Sequence, residues 1–231
     1  MKRFWSNATP VETGGLYGVL LDSRAVKLPS GAEMTVPYKK LAAAIAQEWA
    51  VAKAEFSPND LPLTQLVCTA QERVAPHRAE IIAQLAAYGL NDLLCYRADS
   101  PPTLVARQHE EWDPWLRWLD SAHGIGLITT NGLMPVNQLP WTAGKLDSLL
   151  AARSDYELAA LGVLIPVLGS FVLGLATAEG LLLPETACAA ASLDELWQTE
   201  QWGEDEEDSL KRGKILAEVE DAIRFLRLVA P

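Results

Sequence analysis

Between Leu193 and Glu207, two tryptophans, Trp197 and Trp202, are interleaved with Asp194, Glu195, Glu200 and the contiguous run Glu204-Asp205-Glu206-Glu207. Paired carboxylates have two chemical uses: general acid/base work and oxygen ligation of a hard divalent cation. The contiguous spacing here is not that of an EF-hand loop. The remaining parts of a catalytic site are also missing from the pattern. His77, His109 and His123 lack H-x-x-x-H spacing, no G-x-x-x-x-G-K-[ST] loop is present to cradle phosphate, and no G-x-S-x-G elbow presents a serine. The primary expectation is therefore no enzyme, no metal and no cofactor. A carboxylate-based hydrolase or metal-dependent enzyme using the 194–208 cluster is the alternative.

The same run can instead recognise a partner, because an indole offers apolar area with a polar handle and a carboxylate pairs with Arg or Lys. Ser192 and Glu195 stand in the S-x-x-E order of a capping box, which predicts a helix starting there. On it Glu195, Gln198 and Trp202 fall at i, i+3 and i+7 and share one face. If the helix continues through Gly203, Glu206 at i+11 extends that stripe. If Gly203 stops it, Glu204 to Asp208 become the first turn of a second helix, where negative charge suits the macrodipole. That second helix would bury Ile215, Val219, Ala222, Ile223, Leu226 and Val229 and carry Arg224 and Arg227 near its C-terminal end.

These residues need a folded frame, and 231 residues with 49% hydrophobic content suffice for a substantial core. A formal charge of −11 excludes sequence-independent binding to nucleic acid or to an anionic membrane, both of which need a basic surface. Cys68, Cys95 and Cys188 are odd in number and widely spaced, so neither a disulfide framework nor a zinc site is indicated. Met1-Lys2-Arg3-Phe4-Trp5 runs into Ser6, Asn7, Thr9 and Pro10 rather than an apolar stretch, so a secretory signal is not expected.

The fold expected is α+β: a small antiparallel β-rich domain over residues 1–60, then a larger all-helical domain over 61–231, with a boundary near Ser57-Pro58-Asn59-Asp60. From Gly18 to Val36, short β-capable runs alternate with turns at Ser23-Arg24 and Pro29-Ser30-Gly31, the pattern of a meander. Pro37 then fits the first turn of a helix carrying Leu41, Ile45, Glu48-Trp49 and Ala52. Pro76 and Ser154-Asp155 mark further helix starts, and Leu127 to Thr130 is a short extended piece. Leu158 to Ala176 is free of charge and nearly long enough to span a bilayer. Gly162, Pro166, Gly169, Ser170 and Gly174 within it, with Glu157 and Glu179 at its edges, argue for a buried central helix bent at Pro166. In Trp112-Asp113-Pro114, Asp113 is placed to cap a helix with Pro114 at its first position. Trp115 and Trp118 read as packing anchors rather than a platform for nucleobases.

Taken in order, many short motifs resemble one family. They are Lys2-Arg3-Phe4-Trp5, Leu21-Asp22-Ser23-Arg24 with Pro29-Ser30-Gly31, Ala46-Gln47-Glu48-Trp49, Leu61-Pro62-Leu63-Thr64, Asp92 to Ala98, Trp112-Asp113-Pro114, Gly169-Ser170 and Trp202-Gly203-Glu204-Asp205-Glu206. Nearly end to end, this order is similar to that of the assembly chaperones for the alpha subunit of F-type ATP synthase. Ser23 and Ala25 stand where that family often has Gly and Pro. The resemblance implies an ATP-independent chaperone that binds the unassembled alpha subunit and shields its apolar interface; the oligomeric state is left open, with a monomer favoured. Its setting would be the bacterial cytoplasm, with the mitochondrial matrix for eukaryotic relatives. The W-G-x-x-E core maps to Trp202, Gly203 and Glu206. Together with Glu195 and Gln198 from the shared face, these are the expected partner-binding residues.

Overall fold

The computed structural model describes residues 1–132, 136–203 and 206–230, with the backbone alone at Glu206 and Glu207. Strands β1 (Ala8–Thr13) and β2 (Leu16–Leu21) form a hairpin closed by Gly14-Gly15, at φ of 61° and 83°. Left-handed backbone at both turn positions gives a twist that matches the flanking strands, and glycine adopts it without steric cost. β3 (Arg24–Ala25) and β4 (Thr35–Val36) both pair antiparallel with β2, which leaves β1 on the edge.

The short antiparallel strands expected from Gly18 to Val36 are present, but β4 returns to pair with β2 rather than forming the next step of a meander, and β1 lies outside them. Pro10 disguised it, because proline cannot donate to a ladder and is tolerated in a strand only at an edge. The turn expected at Ser23-Arg24 centres on Asp22-Ser23 instead, since Leu21 pairs with Arg24. Asp22 sits at φ 54°, and its carboxylate accepts from the backbone N–H groups of Ser6 and Asn7 at 3.1 and 2.9 Å. Those bonds, Asn7 first, hold its carboxyl below the usual carboxylate range.

α1 (Lys39–Val51) packs on β1 and β2, and its Leu41, Ile45 and Trp49, which share one helical face, are buried. Its first residue is Lys39, with Tyr38 as N-cap, so Pro37 precedes the helix rather than opening it. A 3₁₀ turn at Pro58–Asp60 leads to α2 (Pro62–Thr69), a π turn over Ala70–Val74, and α3 (Arg78–Leu90), which begins two residues after Pro76. β5 (Tyr96–Arg97) follows, then α4 (Pro102–His123) and β6 (Thr130–Asn131), and β6 pairs in parallel with β5. α4 runs continuously through Pro114, so Asp113 is not a cap; its carboxylate forms an ion pair with Arg97 and meets the His109 ring at 2.9 Å instead.

Downstream lie α5 (Thr142–Ala151), α6 (Asp155–Leu168), α7 (Phe171–Ala178), α8 (Pro184–Ala191), α9 (Leu193–Trp202) and α10 (Glu206–Val229). The uncharged Leu158–Ala176 stretch is thus two helices, not the single central helix expected. Gly169 turns the chain at φ 62° and Ser170 caps α7, its hydroxyl accepting from the Leu173 N–H at 3.1 Å. A Cβ on Gly174 would lie 2.8 Å from Ile165 Cγ1 and 3.1 Å from its backbone, so this hairpin closes only because residue 174 is glycine. Among the described residues no helix is long and apolar enough to cross a membrane.

The chain forms two compact units: Met1–Arg78 with Asp155–Ala160 and Asp221–Pro231, and Ala79–Ser154 with Leu161–Glu220. In the first, Glu48 links α1 to α2: its carboxylate accepts from the N–H groups of Leu63 and Thr64 at 2.8 and 3.1 Å and from Thr64 Oγ1 at 2.6 Å. It supplies from outside the helix the N-terminal cap that Leu61 cannot. Trp49 Nε1 donates to Thr64 Oγ1 at 2.9 Å, and Trp5 Nε1 to the Trp49 carbonyl at 3.1 Å. In the second, the core centres on Trp112, Leu119, Leu146, Phe171 and Leu173, all fully buried. The α+β class read from the sequence, a small antiparallel region followed by helices, is the class observed.

Candidate partner-binding surface

α9 carries three of the expected partner-binding residues and is set by what holds its other side. Leu193 is buried and Leu196 and Trp197 are half-buried. Asp194 accepts from Gln108 Nε2 at 2.7 Å, and both Glu200 oxygens lie 2.8 Å from Arg107 Nη1. Both partners stand on α4. At about 100° per residue these anchors gather on one side of the helix. Glu195, Gln198 and Trp202 fall on the opposite side, and all three are exposed. Trp202 is 77% exposed, its ring meeting Trp197 edge-on at 6.3 Å between centroids.

Gln108 is itself fixed, although it is 1% exposed and uncharged. Its Oε1 accepts from the Ala98 N–H at 2.8 Å and its carbonyl accepts from Arg97 Nη1 at 2.9 Å. Arg97 donates Nε to the Leu94 carbonyl at 2.7 Å and Nη2 to Asp113 Oδ1 at 2.8 Å, and its guanidinium lies 5.1 Å from the Trp112 ring centroid. Trp112 Nε1 in turn donates to the Ala190 carbonyl at 2.8 Å, near the end of α8, the helix leading into α9. A buried arginine is tolerated because every edge of its fork is satisfied.

One more buried acid completes the frame. Asp92 is fully buried and accepts from the Leu94 and Val172 N–H groups, each at 2.9 Å, and from Ser170 Oγ at 2.8 Å. Desolvation pushes its carboxyl up to about 6, against the hydrogen bonds that favour the ion.

One expectation for this surface is corrected, and of two open alternatives the helix stop at Gly203 is the one observed. Ser192 makes no side-chain cap: α8 passes almost directly into α9, Ser192 has φ −99° and ψ 19°, and its N–H is used by the Cys188 carbonyl at 3.0 Å. Without the extended backbone of a cap residue, the Ser192–Glu195 box does not close. Nor does the helix continue through Gly203, which sits at φ 97° and ψ 161°, a conformation open essentially to glycine alone. The single stripe from Glu195 to Glu206 is therefore broken, and α10 restarts at Glu206. Glu204 and Asp205, and the side chains of Glu206 and Glu207, lie outside the described residues. Among the described residues no group of His, Cys, Asp and Glu is arranged to hold a metal ion, and Asp194 and Glu200 are turned away from Glu195.

Sequence reasoning did not identify Arg107, Gln108 and Arg97 as the mounting of this surface. Arg97 sat inside a family motif, but nothing local marks Gln108, a glutamine on the buried side of α4.

A solved structure of Atp12 from Paracoccus denitrificans is similar over 99% of this chain and 98% of its own length, at 38% identity and a TM-score of 0.93. The Atu1473 protein of Agrobacterium tumefaciens is 34% identical with a TM-score of 0.94, over 99% of this chain and 86% of that one. The Schizosaccharomyces pombe protein named atp12, mitochondrial, is 29% identical over 218 residues, 87% of this chain and 74% of that relative. The class of protein is therefore a chaperone. The family model described as ATP12 chaperone protein matches residues 2–120, and the chain belongs to that family, as the order of its motifs implied.

Proposed function

We propose that this chaperone binds the unassembled alpha subunit of F-type ATP synthase, covers apolar surface later taken by the beta subunit, and so promotes assembly of the catalytic head without itself catalysing a reaction. An interface exposed before assembly is an aggregation hazard, and a holder must cover it yet give way to the final subunit. The α9 face suits such a holder, with an indole for apolar contact, an amide, and the Glu195 carboxylate for pairing with a client Arg or Lys. Gly203 and Glu206 would complete the surface, Gly203 by turning the chain between the two helices.

The observation that carries this reading is the 77% exposure of Trp202 on the face opposite the anchors of α9. The Trp5, Trp49 and Trp112 indoles, by contrast, are buried with their N–H groups bonded inside the chain. The test is co-purification with the isolated alpha subunit, beta subunit as control, followed by light scattering as the client is diluted from denaturant. Selective capture of alpha with suppressed scattering is expected, and Glu206→Gln should weaken protection without loss of folding. Equal capture of both subunits, or unchanged scattering, refutes the assignment.

A further inference from the structure

The charge of −11 is not evenly spread: residues 1–78 hold 9 Lys and Arg against 7 Asp and Glu, whereas the whole chain holds 19 against 30. Within the unit built on that basic stretch lie two adjoining depressions of about 480 and 180 Å³ that share Met1, Lys27 and Trp49 as walls. The larger runs past Leu28, Pro29 and Leu61, the smaller past Phe4 and Phe56. Met1 and Phe4 line the trough while 67% and 63% exposed, an unusual amount of apolar surface to leave in water. Trp49 is held in place by its bond to Thr64, so this wall is preformed.

Cations border this apolar trough. Lys2 and Lys27 line it, and the Arg24 guanidinium lies 5.6 Å from the Phe4 ring centroid. The acid nearest Lys2 is Glu55 at 4.0 Å, in an ion pair whose members are 86% and 79% exposed and which water screens strongly.

We propose that this trough docks an extended polypeptide segment of a partner in which large aliphatic side chains alternate with Asp or Glu. Apolar residues would enter the two lobes, and carboxylates would meet Lys2, Lys27 and Arg24. The sign follows from charge complementarity: three cations stand at the rim, with Glu55 across from Lys2, Glu33 across from Lys27 and Glu72 near Cys68 as the acids alongside, whereas residues 79–231 hold 10 Lys and Arg against 23 Asp and Glu, so an acidic segment is repelled less here than by the remainder of the chain. An open trough with a larger and a smaller lobe suits successive side chains of one strand better than an enclosed small molecule. This inference does not depend on the identity of the client, and it concerns a surface other than α9.

The experiment uses the intact chain and a fluorescein-labelled peptide, Glu-Leu-Glu-Ile-Glu-Leu-Glu, carrying a photoreactive benzophenone, followed by anisotropy and by mapping of the crosslinks. Expected results are saturable binding that weakens as salt rises and crosslinks to residues 24–29 or 58–69. Reversal by Lys27→Glu should cost roughly five- to tenfold in affinity. Peptides with Lys for Glu, or Ser for Leu and Ile, should bind poorly. Absence of binding, equal binding of the Lys peptide, or crosslinks confined to residues 195–203 would overturn the proposal. Because the peptide is unrelated to ATP synthase, its failure leaves capture of the alpha subunit standing, and failure of capture leaves the trough standing.

Discussion

Replacing Trp202 by Ala should separate holding from folding. An indole side chain offers roughly 200 Å² of surface. At 77% exposure only a quarter of it is covered by the chain itself, which at 25 cal/mol per Å² amounts to about 1 kcal/mol of stability. For a domain of this size that is a fall in Tm of about 2–4 °C. The uncovered part, about 150 Å², would contribute about 4 kcal/mol if fully buried on a client, at the upper end for an interface anchor. Client affinity should therefore fall roughly thirtyfold to a thousandfold. Binding is read by titrating labelled alpha subunit against chaperone, and folding by thermal melts followed by circular dichroism. Trp112→Ala supplies the contrast, because that ring is fully buried with its N–H bonded to the Ala190 carbonyl; truncation should cost about 3–5 kcal/mol of stability. Unchanged affinity in Trp202→Ala, or a stability loss as large as that of Trp112→Ala, would refute the division of tryptophans into exposed and structural ones.

Asp92, raised to about 6 by burial, binds its proton more tightly in the folded state than in the unfolded one; the stability it contributes through that proton is fully present below the unfolded pKa near 4 and is lost as pH rises through about 6, a change of up to about 3 kcal/mol. The unfolding free energy of the wild type minus that of Asp92→Asn, measured in urea, should therefore increase between pH 7 and pH 4.5, and a decrease would show that the carboxylate is held below its ordinary range instead. Arg97→Lys should lose about 2–4 kcal/mol, because one ammonium cannot reach the Leu94 carbonyl, the Gln108 carbonyl and Asp113 together; denaturant titration checks this, and near-neutrality would mean that the fork geometry is unimportant. Gly174→Ala should destabilise by about 1–3 kcal/mol through the clash with Ile165, whereas Gly162→Ala, with nothing within 4 Å of the added methyl, should stabilise by up to about 1 kcal/mol; melting temperatures moving in the same direction would contradict the close approach of α6 and α7.

What was legible in the sequence was whatever depends on local pattern. The helical spacing of Leu41, Ile45 and Trp49, the short strands from Gly18, and the shared face of Glu195, Gln198 and Trp202 each rest on a periodicity that tertiary contacts leave alone. What misled was residues with two uses. Pro114 reads as a helix start but is carried inside α4. Pro10 reads as a strand breaker but lies on an edge. Ser192 and Glu195 spell a capping box, yet the chain enters α9 from α8 with no room for an extended cap residue. Ser170, in contrast, caps a helix that the uncharged run around it concealed. The mounting of α9 was illegible because Gln108 and Asp194 lie 86 residues apart and neither has a distinctive neighbourhood.

The motifs that identify the family divide by what satisfies them. Glu48-Trp49 meets Leu63-Thr64, Asp92 meets Ser170, Arg97 meets Asp113 and stacks over Trp112, and Trp5 meets the Trp49 carbonyl. Each pair closes inside the chain, which accounts for it as architecture. Trp202-Gly203 is different, since the indole stays in water and the glycine ends α9 at φ 97°. One exposed face of a ten-residue helix is nonetheless small: stable interfaces cover about 800 Å² per partner. The α9 face alone would therefore give a contact that forms and releases readily, and a holder tight enough to suppress aggregation needs area elsewhere. The trough proposed above would be a surface of that kind if the client carries a matching segment. Two weak contacts on one client chain would multiply through effective concentration and could be broken one at a time, which would make tight holding and ready release compatible in one protein. Loss of the indole should then raise the client off-rate by far more than it lowers the on-rate, whereas charge reversal at Lys27 should also slow association at low salt, which stopped-flow association and dissociation of Trp202→Ala and Lys27→Glu would measure. An off-rate unchanged in either variant would mean that the surface concerned does not hold this client.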